Sequence, residues 1–293
     1  MPSIQSMFLK FMAKRKMKLN KPLNEVREDF ENMTKELKLP AGIEMSSMAA
    51  GGLQAQWFAL ENAPKEKAVI YLHGGGYALG VYDMTRAFCG RLAKETGYRV
   101  LLLNYRIAPE DTYPSALEDA VSLYRWLVET DMKPENIAFV TDSSGGSLGL
   151  AALMSVRDRF LALPSGIACF SPVFDFAREG ASHKSKAHMD PYHTKPEYNL
   201  ENHYIGSNDP KNPFISPLCG DLKGMPPMYL VASECDVFFD DSARMASKAK
   251  AAGVEVTVKT WPGMIHNFQL MDMLPESKTA LKEVAAFLKG KLK

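Results

Sequence analysis

The chain has 293 residues, which is enough for one large α/β domain or two medium-sized ones. Its 35 lysines and arginines almost balance its 34 aspartates and glutamates, so no overall field favours nucleic acid or an acidic membrane as a partner. The four cysteines have no C-x-x-C spacing, which argues against a zinc site and fits a reduced compartment better than a disulfide framework.

Two amphipathic helices are predicted ahead of the first strand. The first has apolar residues at helical spacing, namely Ile4, Met7, Phe8, Phe11 and Met12. The second starts at Pro22, which suits a first helical turn, and its apolar stripe consists of Leu23, Val26, Phe30, Met33 and Leu37. We expect both stripes to pack on the rest of the protein, either as ordinary core or as a cap over an apolar cleft.

The basic stretch at 10–18 keeps a second hypothesis open for the first helix, that it lies on a membrane surface. Lys10 and Lys14 interrupt its apolar residues and no small-residue cleavage site follows, so we predict no signal peptide. No segment approaches the roughly 18 apolar residues that span a bilayer. We therefore expect a soluble, cytoplasmic protein without stable membrane insertion.

From residue 51 onward, predicted strands and helices alternate. The strands are "LQAQWFAL", "AVIYL", "VLLLNY", "IAFV", "GIACFS", "MYLVAS" and "VEVTVKTW", and the helices cover 84–96, 114–130, 144–160, 240–252 and 276–292. Several strands are continuous apolar runs, which is typical of strands covered on both faces. The pattern predicts an α/β fold with a mostly parallel sheet flanked by helices, and the polar segment at about 178–213 is predicted to be an insertion.

The stretch "TDSSGG" (141–146) lies between an apolar strand and a small-residue helix. A serine on such a turn, in the pattern G-x-S-x-G, is a nucleophile elbow, which makes Ser143 a candidate nucleophile. Thr141 stands at the first glycine position of this pattern, whereas the second position has the expected glycine, Gly145. Alone, the stretch is equally typical of a helix cap and turn without chemistry.

The run "HGGGY" (73–77) directly follows the strand "AVIYL". Consecutive glycines let backbone N–H groups point into a cleft, where they can stabilise a developing oxyanion. The run does not match G-x-G-x-x-G and the chain has no G-x-x-x-x-G-K-[ST], so nucleotide binding is disfavoured. The run lies one strand pair before Ser143. The two motifs together therefore support catalysis more strongly than either motif does alone.

A serine nucleophile needs a base, and the base needs a carboxylate to fix its tautomer. Asp236 follows the strand "MYLVAS", and His266 follows the next strand, in the chain order Ser, Asp, His. Asp240 and Asp241 are instead expected to cap the following helix. His73 is predicted to be a structural donor, and the insertion residues His183, His188, His193 and His203 are predicted to be exposed rather than metal ligands, because they lack H-x-x-x-H spacing.

At this point the sequence resembles the hormone-sensitive-lipase-like carboxylesterases, bacterial family IV of the α/β-hydrolase fold. The resemblance covers about 38–268 and rests on "HGGGYALG", "NYRIAPEDTYPSALEDA", "TDSSGG", "SPVFDF", "DPKNPFISPL", "ECDVFFDD" and "GMIHNF". It implies an α/β-hydrolase domain at 46–293, with 1–45 and the insertion at about 178–213 forming a helical cap. It also implies hydrolysis of short- to medium-chain acyl esters without a metal or cofactor, and it leaves a homodimer open.

Carried over by motif, the resemblance assigns the nucleophile to Ser143, the base to His266 and its orienting partner to Asp236. The implied oxyanion hole consists of backbone N–H groups of Gly75, Gly76 and Ser144. The sequence departs from the family pattern at Thr141, at Ser144, where alanine is usual and a hydroxyl is expected to be harmless, and at Asn267, where glycine is common. A deacetylase, an amide or formamide hydrolase, and a non-catalytic ligand-binding relative remain alternatives.

Overall fold

The computed structural model describes residues 2–16 and 19–293, and within them eight strands form one sheet. The strands are β1 (Ile43–Ala50), β2 (Leu53–Leu60), β3 (Ala68–Leu72), β4 (Arg99–Leu103), β5 (Ile137–Asp142), β6 (Ile167–Phe170), β7 (Met228–Ser233) and β8 (Val256–Trp261). Their spatial order is β1-β2-β4-β3-β5-β6-β7-β8. β1 and β2 pair antiparallel with each other and β2 with β4, whereas every other pairing is parallel.

The described helices follow the order expected from alternating β and α units. They are α1 (Ile4–Lys16), α2 (Leu23–Thr34), α3 (Asp83–Thr96), α4 (Ser115–Glu129), α5 (Ser144–Asp158), the short α6 (Ser182–Ser185) and α7 (Asn202–Ile205), α8 (Phe239–Ala251) and α9 (Pro275–Lys291). The five long helices predicted after residue 51 are confirmed with boundaries within two residues. In this described part of the chain, no helix is long and apolar enough to cross a membrane.

The central strands are continuous apolar runs because each of their faces is covered. In β3, Ile70 and Leu72 belong to one buried cluster, together with residues of α4 and α5. Val69 and Tyr71 alternate with them and belong to a second cluster, with residues of α3 and α9. Alternate side chains of the strand therefore pack into two cores on opposite faces of the sheet. This agrees with the prediction that both faces of the parallel sheet are covered.

Strand β1 was not predicted, because its sequence "IEMSSMAA" lacks both a long apolar run and clean alternation. It pairs only with β2, and most of its residues are exposed. A strand at the edge of a sheet is held by main-chain hydrogen bonds to one neighbour, so it needs little apolar patterning of its own.

Helix α1 contacts the protein through a different face from the one predicted. Ala13 packs in a small buried cluster with Cys235 and Ile265, and Ser6 is buried. The predicted stripe instead faces solvent, since Ile4, Met7, Phe8 and Phe11 are 79, 57, 64 and 53% exposed. The prediction that this stripe packs on the protein is therefore wrong.

Candidate active site

The turn at Ser143 joins β5 to α5 in a strained conformation. Ser143 has φ 52° and ψ −127°, a region that costs a non-glycine residue about 1–3 kcal/mol. Its backbone is held by the surrounding structure, since its N–H donates to the carbonyl of Phe170 and its carbonyl accepts from Val173. A Cβ on Gly145 would lie 2.3 Å from the Leu72 carbonyl oxygen, so only glycine fits there. The turn has the geometry of a nucleophile elbow.

Thr141, the departure at the first glycine position of the motif, is fully buried. Its methyl group does not face Gly145 but Gly149, one helical turn further along α5. A Cβ on Gly149 would lie 2.9 Å from Thr141 Cγ2 and 3.0 Å from Ile167 Cδ1. The bare backbone of Gly149 thus provides the space that Thr141 fills.

We expect Gly149→Ala to destabilise the protein by about 1–3 kcal/mol, because the added methyl overpacks this contact. Adding Thr141→Ser, which removes Cγ2, should recover part of that loss, whereas Thr141→Gly alone should change any activity that depends on Ser143 by no more than a few-fold. Urea unfolding of the single and double variants measures the coupling. Gly290→Ala is the matched control, because a Cβ on this helical glycine meets nothing within 4 Å; an equal loss in the control would contradict the packing argument.

The three residues predicted to act together lie in hydrogen-bond contact at the carboxyl edge of the sheet. His266 Nε2 is 2.8 Å from Ser143 Oγ, and His266 Nδ1 is 2.6 Å from Asp236 Oδ2. The other oxygen of Asp236 accepts from the N–H of Phe238 at 2.8 Å. All three side chains are buried, with Ser143 8% exposed and His266 7%.

The environment of His266 stabilises its protonated form. Burial by itself lowers the pKa of the imidazole, but the charge of Asp236, their hydrogen bond and the nearby carboxylates of Asp190 and Asp142 outweigh it. The net result raises the pKa of His266 from 6.5 to about 9. An imidazolium formed at this position is therefore strongly stabilised.

Asp190 is a carboxylate at this site that the sequence did not predict. It comes from the insertion, and its side chain accepts hydrogen bonds from the N–H groups of Tyr192 and Val237 at 2.8 and 2.9 Å. Burial, reinforced by the charge of Asp236, raises its pKa from 3.8 to about 6. Asp190 thus ties the insertion to the residue after Asp236, a long-range contact that no local motif signals.

The glycine run 74–76 curves around the elbow. Gly75 and Gly76 have φ of 109° and 60°, and a Cβ on Gly76 would lie 2.5 Å from Cβ of Leu200 in the insertion. The N–H of Gly76 donates to Ser144 Oγ at 2.9 Å. Ser144, expected to act only through its backbone, therefore also engages a predicted oxyanion donor through its side chain.

Asp142 links three parts of the site and was missed in the sequence, although it lies inside "TDSSGG". Its Oδ1 accepts from the hydroxyl of Tyr71 at 2.5 Å and from the N–H of Gly74 at 2.9 Å. Its Oδ2 accepts from the side-chain amide of Asn267 at 2.8 Å. Asn267 adopts the left-handed φ of 55° that explains why glycine is usual there. The carboxylate fixes the glycine run and the His266 loop relative to the elbow.

The histidines other than His266 are either buried or exposed. His73 is buried and stacked on Tyr105 at 4.2 Å, and burial lowers its pKa to about 4, so it stays neutral as a structural group. His188, His193 and His203 are exposed as predicted. The same prediction is wrong for His183, which is buried because the neighbouring Ser182 is anchored to the carbonyl of Val237.

Asp240 and Asp241 do not cap α8, contrary to the prediction. The N-cap residue of α8 is Phe238, and no side chain caps the helix there. Asp241 instead accepts from the N–H groups of Phe174 and Asp175, and Asp240 accepts from that of Ser182. The two carboxylates hold the loop after β6 and the start of the insertion against α8.

A cleft opens above Ser143 and His266 with mainly apolar walls. The N-terminal segment contributes Leu19 and Phe30, and the insertion contributes Tyr192 and Leu200. The glycine run 74–76 forms part of the floor. The arrangement suits a small molecule with an electrophilic centre and apolar substituents.

An eight-stranded, mostly parallel sheet with a Ser–His–Asp constellation on an elbow defines a hydrolase of the α/β class. A family model described as the alpha/beta hydrolase fold matches residues 69–270, and the chain belongs to this family.

Individual relatives are consistent with that assignment. The chain is 38% identical over 225 residues to an acetyl-hydrolase of Streptomyces hygroscopicus, covering 76% of this chain and 75% of the relative. It is 32% identical over 217 residues to an ethyl acetate hydrolase of Pseudomonas putida, covering 71% and 68%. The structure of an esterase from the bacterial hormone-sensitive lipase family matches with a TM-score of 0.94, at 32% identity and with 100% of both chains covered. The protein is a carboxylic ester hydrolase.

Proposed function

We propose that the protein hydrolyses short- to medium-chain acyl esters, with Ser143 as nucleophile, His266 as general base and acid, and Asp236 as the orienting carboxylate. The observation that carries the proposal is the unbroken chain of contacts from Ser143 Oγ through both ring nitrogens of His266 to Asp236. This arrangement lets a proton leave the serine while the developing imidazolium is stabilised.

The reaction proceeds by two acyl transfers. Ser143 Oγ attacks the ester carbonyl carbon as His266 Nε2 takes its proton, and His266 then protonates the departing alcohol. Water, deprotonated by His266, attacks the acyl-enzyme in the same way and releases the acid. The N–H groups of Gly75, Gly76 and Ser144 stabilise the oxyanion of each tetrahedral intermediate. In the free protein the Gly76 donor is bonded to Ser144 Oγ, so the oxyanion has to replace that hydroxyl as its acceptor.

Two regions are proposed to form a cap over the cleft, the N-terminal segment 1–45 and the insertion at about 178–213. Both line the cleft, through Leu19 and Phe30 on one side and Tyr192 and Leu200 on the other.

The four cysteines are all unpaired, which supports a reducing, cytoplasmic location.

A rate panel with active-site labelling tests this function. We expect turnover of p-nitrophenyl esters from acetate upward, and covalent labelling of the peptide that contains Ser143 by a fluorophosphonate. The ester series also measures how long an acyl chain the cleft accepts. Faster turnover of acetylated sugars, amides or aryl formamides would favour the alternative hydrolases, and a protein that neither reacts nor turns over would be a ligand-binding relative.

The pH profile is expected to rise into the alkaline range. Only neutral His266 can accept the serine proton, and with a pKa of about 9 the neutral fraction grows as the pH rises through that value. Asp190, whose pKa is about 6, is ionised there and stabilises the protonated imidazole. Asp190→Asn should therefore lower the pKa of His266 and move the rising limb of kcat/KM to lower pH. An unshifted limb would show that the Asp190 charge does not act on His266.

A further inference from the structure

The chain divides into a strongly basic N-terminal arm and an acidic body. Residues 1–24 contain six basic residues, Lys10, Lys14, Arg15, Lys16, Lys18 and Lys21, and no aspartate or glutamate. The remaining 269 residues then carry 29 basic and 34 acidic side chains, although the chain as a whole is close to neutral. The arm is therefore the part of the protein that an anionic surface would attract.

The same arm exposes large apolar side chains on α1. Ile4, Met7 and Phe8 are 79, 57 and 64% exposed, and they lie at helical spacing, so they share one face. Met273, in the loop before α9, is 69% exposed as well. A contiguous exposed apolar face on a helix indicates an interaction surface, whereas single exposed apolar side chains are common on any protein.

The opposite face of α1 is fixed to the body, which leaves this apolar face directed outward. The N–H of Ser3 donates to Glu276 at the start of α9, and Lys10 Nζ contacts Cys235 Sγ at 2.8 Å. Ala13 packs against Cys235 and Ile265, as described above. These anchors explain why the apolar face does not fold back onto the protein.

We propose that the apolar face of α1 is a docking surface for an anionic phospholipid bilayer. Apolar side chains on an exposed helix, together with a cluster of lysines and arginines, are the two features that hold a helix in the headgroup region. The bilayer matches both at once, because its headgroups complement the charge of the arm and its acyl chains accept Ile4, Met7 and Phe8. A helix of this length lies along the interface and does not cross it.

Docking by α1 would bring the catalytic edge of the sheet towards the lipid. Cys235 and Ile265, the contacts of Ala13, directly precede Asp236 and His266 in the chain. The cap residue Tyr192 packs on the same small cluster.

Vesicle co-sedimentation of the full chain tests the proposal. We expect pelleting with phosphatidylglycerol–phosphatidylcholine vesicles, at least tenfold less with pure phosphatidylcholine vesicles, and loss of pelleting at high salt. The double variant Met7→Ser/Phe8→Ser should lose at least tenfold in vesicle affinity while turnover of a water-soluble ester stays unchanged. The matched control is Phe160→Ser, which removes a 97% exposed aromatic side chain at the end of α5 and should pellet like the parent.

Three results would overturn the inference. The parent chain could fail to pellet with anionic vesicles, or the double variant could pellet as well as the parent. The third is a dimer in light scattering that the double variant dissociates, without any vesicle binding, which would make a second copy of the chain the occupant of this face. Each result leaves the proposed ester hydrolysis untouched, because the soluble-ester assay reports on it separately.

Discussion

Ser143→Ala is expected to lower kcat on p-nitrophenyl acetate and butyrate by on the order of 10⁴-fold or more. The substitution removes the atom proposed to attack the carbonyl, Oγ at 2.8 Å from His266 Nε2, and it keeps the Cβ that the strained turn already accommodates. Burst release of p-nitrophenol should disappear, since no acyl-enzyme can form. Stopped-flow and steady-state assays at one pH measure both effects.

Ser147→Ala is the control for this experiment. Ser147 lies one turn further along α5, is fully buried, and donates its hydroxyl to the carbonyl of Val173 at 2.6 Å. Its loss removes a buried hydroxyl from the same helix without touching the reacting atoms, so kcat should change only a few-fold. If Ser143→Ala retained the parental rate and burst, Ser143 would not be the nucleophile.

The meeting of Ser143, His266 and Asp236 was predictable because each residue lies in a local pattern. An apolar strand followed by "DSSGG" positions Ser143, and a strand followed by a polar loop positions Asp236 and His266. Parallel strands bring their carboxyl ends to one edge, so three local patterns converge without any knowledge of side-chain contacts. The structure places His266 between the other two side chains, 2.8 Å from Ser143 Oγ and 2.6 Å from Asp236 Oδ2, as that argument requires.

The parts that were not predicted depend on contacts between distant segments. Asp190 reaches the triad from 46 positions away in the chain, and Asp142 bonds to Asn267 across 125 positions. The space that Thr141 occupies is provided by Gly149, eight residues later in α5, and not by Gly145, the glycine of the motif. Sequence periodicity also could not tell which face of α1 is buried, because Glu276 and Cys235, which hold it, lie 273 and 225 positions along the chain from Ser3 and Lys10, the residues they contact.

These unpredicted contacts share one consequence: side-chain hydrogen bonds, rather than regular secondary structure, hold the loops of the proposed active site. Asp142 fixes the glycine run and the His266 loop, and Asp190 fixes the loop after Asp236. Both carboxylates also add negative charge around His266 and raise its pKa. The groups that position these loops would therefore also stabilise the imidazolium that forms in the proposed acyl transfers.

Asp236→Asn is expected to lower kcat by on the order of 10⁴-fold, through the tautomer of His266. The N–H of Phe238 donates to Oδ1 of residue 236, so an asparagine there keeps its carbonyl oxygen on that donor and turns its NH₂ towards His266 Nδ1. Nδ1 must then accept, which places the ring proton on Nε2, facing Ser143. In that tautomer Nε2 cannot take the serine proton, although every side chain keeps its position.

The comparison with Asp190→Asn separates this tautomer effect from a loss of charge. Both variants remove one carboxylate near His266, but only Asp236 contacts the ring. Asp190→Asn removes a charge and also one of the two backbone hydrogen bonds that Asp190 accepts, because an asparagine has a single acceptor oxygen. It should shift the pH profile and keep the plateau rate within a few-fold of the parental rate. Asp236→Asn should lose the plateau itself, at every pH where hydroxide attack is negligible. Equal plateau rates for the two variants would mean that Asp236 acts only through its charge, because a wrongly protonated His266 cannot support parental turnover at any pH.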